Sequence, residues 1–412
     1  MINQVDECLW VLLHEPKGPL VPYLDAFAQS LIEQGFKTHL IGRQIRVASY
    51  FSQWLLDKDV AAQDVNDQQV RCFFEGRAQQ QSIRRGDHAA LKRLVELLRE
   101  INIISPHPVD NEPTPIQHAL SAFATYLRDE RELCDKTRIQ YCPFIERFLS
   151  ERFGQGPLEF SALRAGDIIG FITQQAEHLS PVRAKVATTA LRSYLQYLRY
   201  CDDIQLDLCS AVPTVPNWSM TGIPRAIAPD HLQAIFAHCP RDTPIGRRDY
   251  AILMLLARLG LRAGEIVSLN LDSIDWEVGS IAVIGKGNQA ASLPLPTEVG
   301  EAMADYLRHG RPISSSRALF LRACAPIRGL GAQQTIGTIV ATAIKRAGIE
   351  TLHRGTHQFR HALAADMLRH GATLTEIGSV LRHRHTKTTS LYAKVDFAAL
   401  RPLSLPWPGG AE

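Results

Sequence analysis

One short stretch restricts the fold of this 412-residue chain more than any other: Ile274 to Leu295 is its only convincing strand region. Ile281 to Ile284 and Ala291 to Leu295 are short apolar runs, and Gly285 to Asn288 provides the turn between them. Apolar residues elsewhere recur mainly at helical spacing. The sequence therefore predicts a mainly α protein whose last part is α+β, with a small antiparallel sheet among helices.

Two proline-rich segments divide the helical pattern into three parts. Ser105 to Pro115 and Ser210 to Ile227 have the composition of linkers. They predict three domains, at residues 1–110, 111–212 and 213–412.

The first two parts resemble each other, which indicates an internal repeat. The aligned pairs are Arg43 to Leu55 with Thr137 to Leu149, Val65 to Phe74 with Leu163 to Ile172, and Ala90 to Leu98 with Ala190 to Leu198. The offset grows from 94 to 98 to 100 residues, as short loop insertions would produce. Each part is predicted to be a module of four or five helices.

The net charge of +3 is unevenly distributed. Residues 211–412 carry 22 Lys/Arg and 15 Asp/Glu, whereas residues 1–110 carry 12 and 14 and residues 111–210 carry 11 and 13. The basic excess therefore belongs to the carboxy-terminal half, where a polyanion would be bound most tightly. A solvated basic surface is the alternative for any single cluster.

The cysteines and the apolar runs indicate in which cellular compartment the protein works. The eight cysteines are scattered without a C-x-x-C pair, so neither a zinc site nor a disulfide framework is indicated. No apolar run approaches the roughly 20 residues of a membrane span. The amino terminus has no basic segment followed by a long apolar one. These features predict a soluble, intracellular protein with no membrane partner.

Two segments near the end of the chain contain residues suited to catalysis. Thr356 to His361 opens an amphipathic helix on which His357, Arg360 and His361 share one face, at i, i+3 and i+4. Tyr392 follows His383 by nine residues. From His353 to Lys394 there are seven Lys/Arg and two Asp/Glu, a net +5. A tyrosine among so many cations can serve as an oxygen nucleophile while the cations hold a phosphate.

Two further cations lie upstream of these segments. Arg262 follows a mostly apolar helix and stands three residues before Glu265, so a structural ion pair is the alternative to a functional role. Lys286 lies in the predicted hairpin turn, where a lysine is usually just solvated.

Six residues occur in a characteristic order along the last part of the chain: Arg262, Lys286, His357, Arg360, His383 and Tyr392. This order and spacing resemble the tyrosine recombinase, or phage integrase, family, whose signature is Arg, Lys, His-x-x-Arg, His/Trp and Tyr. The resemblance covers about the last 170 residues. It implies a site-specific DNA recombinase or integrase.

The resemblance assigns the phosphate to three of these residues. A phosphodiester gains negative charge on its non-bridging oxygens during attack, and two guanidiniums, Arg262 and Arg360, are suited to bind those oxygens bidentately. His383 adds a hydrogen bond to the same phosphate.

The other three residues handle protons and the covalent bond. Tyr392 is the nucleophile, His357 with the arginines helps its deprotonation, and Lys286 protonates the departing 5′ oxygen. The product is a 3′-phosphotyrosyl bond that keeps the energy of the phosphodiester. Rejoining therefore needs neither metal, ATP nor any other cofactor.

The resemblance also implies partners and domain roles. The partner is double-stranded DNA, and protomers self-associate as a synaptic tetramer on two DNA sites, in the bacterial cytoplasm at the nucleoid. Residues 111–212 are similar to the family's core-binding domain, whereas the preceding copy departs from the family. For this first copy, DNA contact and a packing role are equally possible interpretations. By resemblance, the presence of two such modules indicates a recombinase of a mobile element. The tail, Val395 to Pro408, is expected to dock on a neighbouring protomer or on its own domain.

Two departures from the family pattern stand beside the site. Arg382 replaces the glycine that commonly precedes His383, and it would be strained if the backbone there needs positive φ. Phe359 replaces the usual leucine. Neither change removes a chemical group, so an active enzyme is predicted.

Other functions remain open at this point. His353, His357 and His361 repeat at i, i+4 and i+8 and could present imidazoles to a metal, but Arg354, Arg360 and the local positive charge oppose it. A type IB topoisomerase shares the proposed chemistry. A non-catalytic DNA-binding protein would need neither the lysine hairpin nor the tyrosine.

Overall fold

A computed structural model describes residues 15–78, 83–84, 86–104, 114–154, 156–215, 226–285, 289–351, 354–383 and 385–395. The chain divides into two compact units, one formed by Met1–His107 together with Gly222–Glu412 and the other by Pro108–Thr221. The described residues are mainly helical with one three-stranded antiparallel sheet, so the predicted fold class is confirmed. None of their helices is long and apolar enough to cross a membrane. The division into three domains stays a proposal.

The first module of the larger unit is built around an aromatic core. Its described helices are α1 (Leu24–Glu33), α2 (Thr38–Asp57), α3 (Asp67–Ala78) and α4 (Asp87–Glu100). Phe51 packs edge-on against Phe73, with 5.2 Å between ring centroids, and Phe27 and Leu94 are fully buried beside them. Four helices with one shared core make a self-contained module.

The same unit joins this module to the last part of the chain through one loop. The backbone N–H of Ile327 donates to the carbonyl oxygen of Gln34 at 2.9 Å. Gly35 has a φ of +78°, and a Cβ there would lie 2.6 Å from Cγ1 of Ile327. Only glycine meets both demands. A cavity of about 700 Å³ lies beside this contact, lined by α1, α4 and residues 322–328.

The smaller unit holds a second helical module. Its described helices are α5 (Pro115–Asp129), α6 (Asp135–Phe153), α7 (Ala165–His178) and α8 (Pro181–Tyr200). Thr114 begins α5 with a reciprocal capping box: its hydroxyl accepts from the Gln117 N–H, and the Gln117 side chain accepts from the Thr114 N–H. Phe123 and Tyr194 meet in the core at 5.0 Å between ring centroids.

Burial in the two modules matches at most positions of the second and third aligned segments. The pairs Val65 and Leu163, Phe73 and Phe171, Leu91 and Leu191, and Leu98 and Leu198 are all buried. In the first aligned segment most positions differ in burial: Ile45 is fully buried whereas Ile139 is 72% exposed, and Tyr50 is 45% exposed whereas Phe144 is buried. The matched pairs support the repeat as a proposal.

The last part of the chain packs helices around a central apolar helix and carries the sheet. Its helices are α9 (Pro229–Ala237), α10 (Pro244–Arg258), α11 (Ala263–Ser268), α12 (Thr297–His309), α13 (Gln333–Arg346), α14 (His357–Arg369), α15 (Leu374–Val380) and α16 (Thr386–Thr389). A 3₁₀ helix, Ser390–Val395, follows α16 directly. Residues 251–257 of α10 are all buried, which makes α10 the core helix on which the others pack.

The sheet has the strand order β1 (Ile274–Asp275), β2 (Ser280–Ile284) and β3 (Ala290–Pro294). All neighbours are antiparallel, and Ile281 of β2 lies opposite Leu293 of β3. Ile281 and Val283 are buried against α11, while Ile284 is exposed. The two predicted strands are therefore present within one residue of their expected bounds, and β1 adds a short third strand.

Candidate active site

Three segments meet at Gly260, directly after α10. Gly260 has a φ of +55°, and a Cβ there would lie 2.9 Å from Leu381 and 3.0 Å from Leu363. A glycine is required because the end of α10, α14 and the end of α15 all approach this backbone. The contact brings Arg262, Arg360 and the residues after Leu381 together, although they are far apart in sequence.

Arg262 begins α11 and is held by Glu265. Its backbone N–H donates to Oε2 of Glu265 at 2.9 Å, and its Nη1 donates to Oε1 at 2.7 Å. The side chain of Arg262 is 31% exposed, while that of Glu265 is 3% exposed. The ion pair that was the alternative to a functional role is present, yet the Arg262 side chain remains partly exposed.

Glu265 is a buried carboxylate with two guanidinium partners. Nη2 of Arg382 lies 2.9 Å from its Oε2, in addition to the contacts with Arg262. Burial alone would raise the pKa of Glu265, but the Arg262 backbone N–H and the charges of both arginines outweigh it and lower the pKa. The carboxylate is therefore ionised at neutral pH and fixes both cations.

Arg360 on α14 is buried and donates to two backbone carbonyls. Nη1 lies 2.5 Å from the oxygen of Gly260, and Nη2 donates to the oxygen of Leu381. Burial, and then the charges of Arg262 and Arg382, lower the pKa of Arg360 to about 10. The guanidinium remains charged at neutral pH, and its position is fixed by the backbone on both sides.

Tyr392 lies in the 3₁₀ helix and is 2% exposed, packed with Ile377 and Leu381. Its hydroxyl lies 3.0 Å from Nδ1 of His361. Burial raises the pKa of Tyr392, opposed only in part by the charge of Arg360. Burial lowers the pKa of His361, and the neighbouring His357 and Arg360 lower it further. A neutral imidazole therefore faces a protonated phenol, the arrangement in which Nδ1 can accept the phenol proton.

His383 stands beside the tyrosine ring. The two rings are nearly parallel, with 6.3 Å between centroids, and Nδ1 of His383 lies 2.8 Å from the hydroxyl of Thr389. Burial and then the charges of Arg360 and Arg262 lower the pKa of His383 to about 4. His357 also has a pKa lowered by burial and by these arginines. Both rings are therefore neutral near pH 7.

The structure brings five of the six predicted residues into this region, and Lys286 lies outside the described residues. His353 and the tail beyond Val395 lie outside them as well. His361 was not among the six, although its position four residues after His357, on the same helix face, was a signal for it. Among the described residues, no group of three potential ligands is placed to hold a metal ion.

The chain is similar in sequence to known proteins. The sequence pattern of the phage integrase family matches residues 225–399. A protein of Sinorhizobium fredii (strain NBRC 101917 / NGR234) described as integrase/recombinase y4rA is 46% identical over 98% of both chains. The tyrosine recombinase XerC of Azotobacter vinelandii (strain DJ / ATCC BAA-1303) is 29% identical over 69% of this chain and 94% of XerC.

Two solved structures share the fold. The recombinase XerH bound to a palindromic difH substrate has a TM-score of 0.53 at 16% identity, covering 72% of this chain and 98% of XerH. A lambda integrase dimer bound to a COC′ core site has a TM-score of 0.51 at 15% identity, covering 66% and 96%. The protein is thus a tyrosine-type site-specific recombinase. It belongs to the phage integrase family, as the order of its six residues indicated.

Proposed function

We propose that this recombinase cleaves and rejoins double-stranded DNA through a 3′-phosphotyrosyl bond to Tyr392, without metal or ATP. The observation that carries the proposal is the pairing of the Tyr392 hydroxyl with His361 at 3.0 Å, in a cluster whose arginines stay charged. DNA as the partner is supported by the similar structures of XerH and lambda integrase, which hold DNA.

The proton of Tyr392 leaves through His361. The raised pKa of the phenol means that it stays protonated until a base accepts its proton, and His361 is the hydrogen-bonded base. This role was expected of His357, whose ring lies 6.3 Å from the His361 ring. In this proposal His361, rather than the neighbouring His357, contacts the nucleophile and accepts its proton.

The arginines hold the phosphate while the bond is exchanged. Each Nη atom of Arg360 and Arg262 carries two hydrogens, so the contacts with carbonyls and Glu265 leave donors for the non-bridging oxygens. As the Tyr392 oxygen bonds to phosphorus, the bond to the 5′ oxygen breaks and Lys286 supplies the proton to that oxygen. The reverse reaction rejoins the strand, because the phosphodiester energy is kept in the tyrosyl bond.

The same proposal covers the role of each domain and the assembly of protomers on DNA. Residues 111–212 serve as the core-binding domain, and two DNA sites are joined in a synaptic tetramer in which the tail from Val395 couples cleavage to assembly. We place this recombination in the cytoplasm, at the nucleoid, and assign the protein to a mobile genetic element. The first module supports the catalytic part through Ile327, the contact described above.

A covalent-trapping experiment tests the nucleophile. A random-sequence duplex pool is selected for binding to the wild-type protein, and the selected duplex is nicked at successive positions so that a short 5′-hydroxyl strand is lost on cleavage. Wild-type protein is expected to form an adduct that survives denaturing gel electrophoresis. Tyr392→Phe is expected to bind the duplex and form none, because only the hydroxyl is lost.

The alternatives give different outcomes. An adduct with Tyr392→Phe would refute the assignment of the nucleophile, and its absence in the wild type at every nick position would favour a non-catalytic DNA-binding protein. Strand exchange between two labelled duplexes separates a recombinase from a type IB topoisomerase, which would relax supercoiled DNA without joining different duplexes.

A further inference from the structure

Arg382 occupies a backbone position that suits glycine. Its φ is +54°, in the left-handed region that side chains with a Cβ disfavour. It follows the end of α15, where the N–H groups of Arg382 and His383 donate to the carbonyls of Ser379 and Gly378. A non-glycine residue was expected to be strained here if the backbone needs positive φ, and the observed φ is positive. The contacts of the side chain offset this strain.

The side chain of Arg382 is directed toward Glu265 and Arg262 and is only 13% exposed. Its Nη2 lies 2.9 Å from Oε2 of Glu265, and its Nη1 donates to the carbonyl of Val380 at 3.1 Å. Its own carbonyl accepts from Nη2 of Arg262 at 3.3 Å. Arg382 thus touches both members of the pair formed by Arg262 and Glu265.

The contact of Arg382 with Glu265 changes the balance of charge around Arg262. Without Arg382, Arg262 would be the one arginine among the described residues that is hydrogen-bonded to the buried carboxylate, so much of the charge of Arg262 would be neutralised there. With Arg382 present, two guanidiniums share one carboxylate, and the cluster with Arg360 gains one positive charge. A buried carboxylate with a single partner would also be less firmly fixed.

We propose that Arg382 is a positioning residue for strand transfer: it shares the charge of Glu265 and fixes that carboxylate, so that Arg262 keeps the charge and orientation to bind the scissile phosphate. The inference rests on the proposed function of Arg262. A purely structural role, as the end of α15, is the competing explanation.

The test compares Arg382→Gly with two further variants. Arg382→Gly relieves the backbone and removes the charge, Arg382→Lys keeps the charge, and Arg382→Gly combined with Glu265→Gln removes both charges together. Asp59→Gly is the matched control, because Asp59 also has a φ of 54° but lies after α2, exposed and in the first module. Adduct formation on the selected nicked duplex and the melting temperature are measured for each.

Asp59→Gly, which only relieves the backbone, should melt at or above the wild-type temperature. Arg382→Gly should melt within a few degrees of the wild type, because the relieved backbone offsets part of the lost ion pair, yet form the adduct at least tenfold more slowly. Arg382→Lys and the double variant should recover most of the rate. If Arg382→Gly loses stability and rate together while the double variant recovers neither, the residue is structural. An unchanged adduct rate in Arg382→Gly would also overturn the proposal.

A binding measurement separates this proposal from the proposed chemistry. In the Tyr392→Phe background, the dissociation constant is measured for the selected duplex with either a normal phosphate or a neutral methylphosphonate at the scissile position. The protein that keeps Arg382 should favour the charged duplex several-fold, and Arg382→Gly should reduce that preference, with Arg262 and Arg360 still present. If a protein with Tyr392 forms no adduct but Arg382→Gly reduces this preference, the nucleophile assignment fails and the role of Arg382 stands. If the preference is unchanged in Arg382→Gly, the role of Arg382 fails.

Discussion

The two sides of the site treat charge in opposite ways. One side, here the cation side, holds fixed positive charges on Arg262, Arg360 and Arg382, which donate to the carboxylate of Glu265 or to backbone carbonyls. The other, the proton side, comprises His357, His361, His383 and Tyr392, whose pKa values are shifted by burial toward the neutral form. Stationary charge and movable protons are thus kept on different residues. Substitutions on the cation side should therefore affect structure and phosphate binding together, and those on the proton side should change the pH dependence.

The largest effect is expected on the cation side, at Arg360. Arg360→Ala removes a buried cation and leaves the carbonyls of Gly260 and Leu381 without their donor. We expect adduct formation to fall by about 10³-fold and the free energy of unfolding to fall by about 2–4 kcal/mol. Denaturant unfolding and gel assays measure both. Arg369→Ala, on the same helix but with a half-exposed side chain, is the control and should change neither by much.

A substrate with sulfur in place of the scissile 5′ oxygen sharpens the comparison between fixed charge and proton transfer. Lys286→Ala should cleave ordinary DNA at least about 10²-fold more slowly, because an alkoxide leaves poorly without a proton. The sulfur substrate should return Lys286→Ala close to the wild-type rate, since a thiolate needs no acid. Arg262→Ala should stay slow on both substrates. A lysine variant that is not rescued would show that Lys286 is not the acid.

The proton side is tested by His361→Ala and His361→Asn. Removing the base should slow adduct formation by about 10²-fold, with DNA affinity unchanged. His357, Arg360, Tyr392 and His383 surround His361, and its pKa lies below the usual value, so the wild-type rate should persist below pH 6.5 and fall only when the imidazole is protonated. Both variants should lack that acid limb. His370→Ala, at the exposed end of the same helix, should keep the wild-type profile.

The smallest effect is on stability below neutral pH. The histidines of the proton side have folded-state pKa values below the unfolded value, about 4 for His383, so the unfolded chain binds more protons as pH falls. Stability is therefore full above about pH 6.5 and declines toward pH 4. We expect the melting temperature to drop by about 2–4 °C between pH 7 and pH 5. His383→Gln should reduce that drop, and an unchanged drop would contradict the assignment.

The sequence predicted what depends on local pattern. Residues 274–295 indicated the sheet, and the spacing of His357, Arg360 and His361 placed all three on one helix. The contact of His361 with Tyr392 spans 31 residues, and that of Glu265 with Arg382 spans 117. Neither could be predicted, because both depend on how α11, α14 and the end of the chain pack around Gly260. Helical periodicity shows which residues share a face but not which face it meets.

The contact between Gly35 and Ile327 has a consequence for synthesis of the chain. Its two sides lie about 290 residues apart, and the whole smaller unit is encoded between them. At about 5–20 residues per second, the first module waits on the order of 15–60 s on the ribosome before its partner loop emerges. During that time the surface around Gly35 is uncovered. The module must therefore be stable by its own aromatic core, and the larger unit closes only after the smaller one has been made.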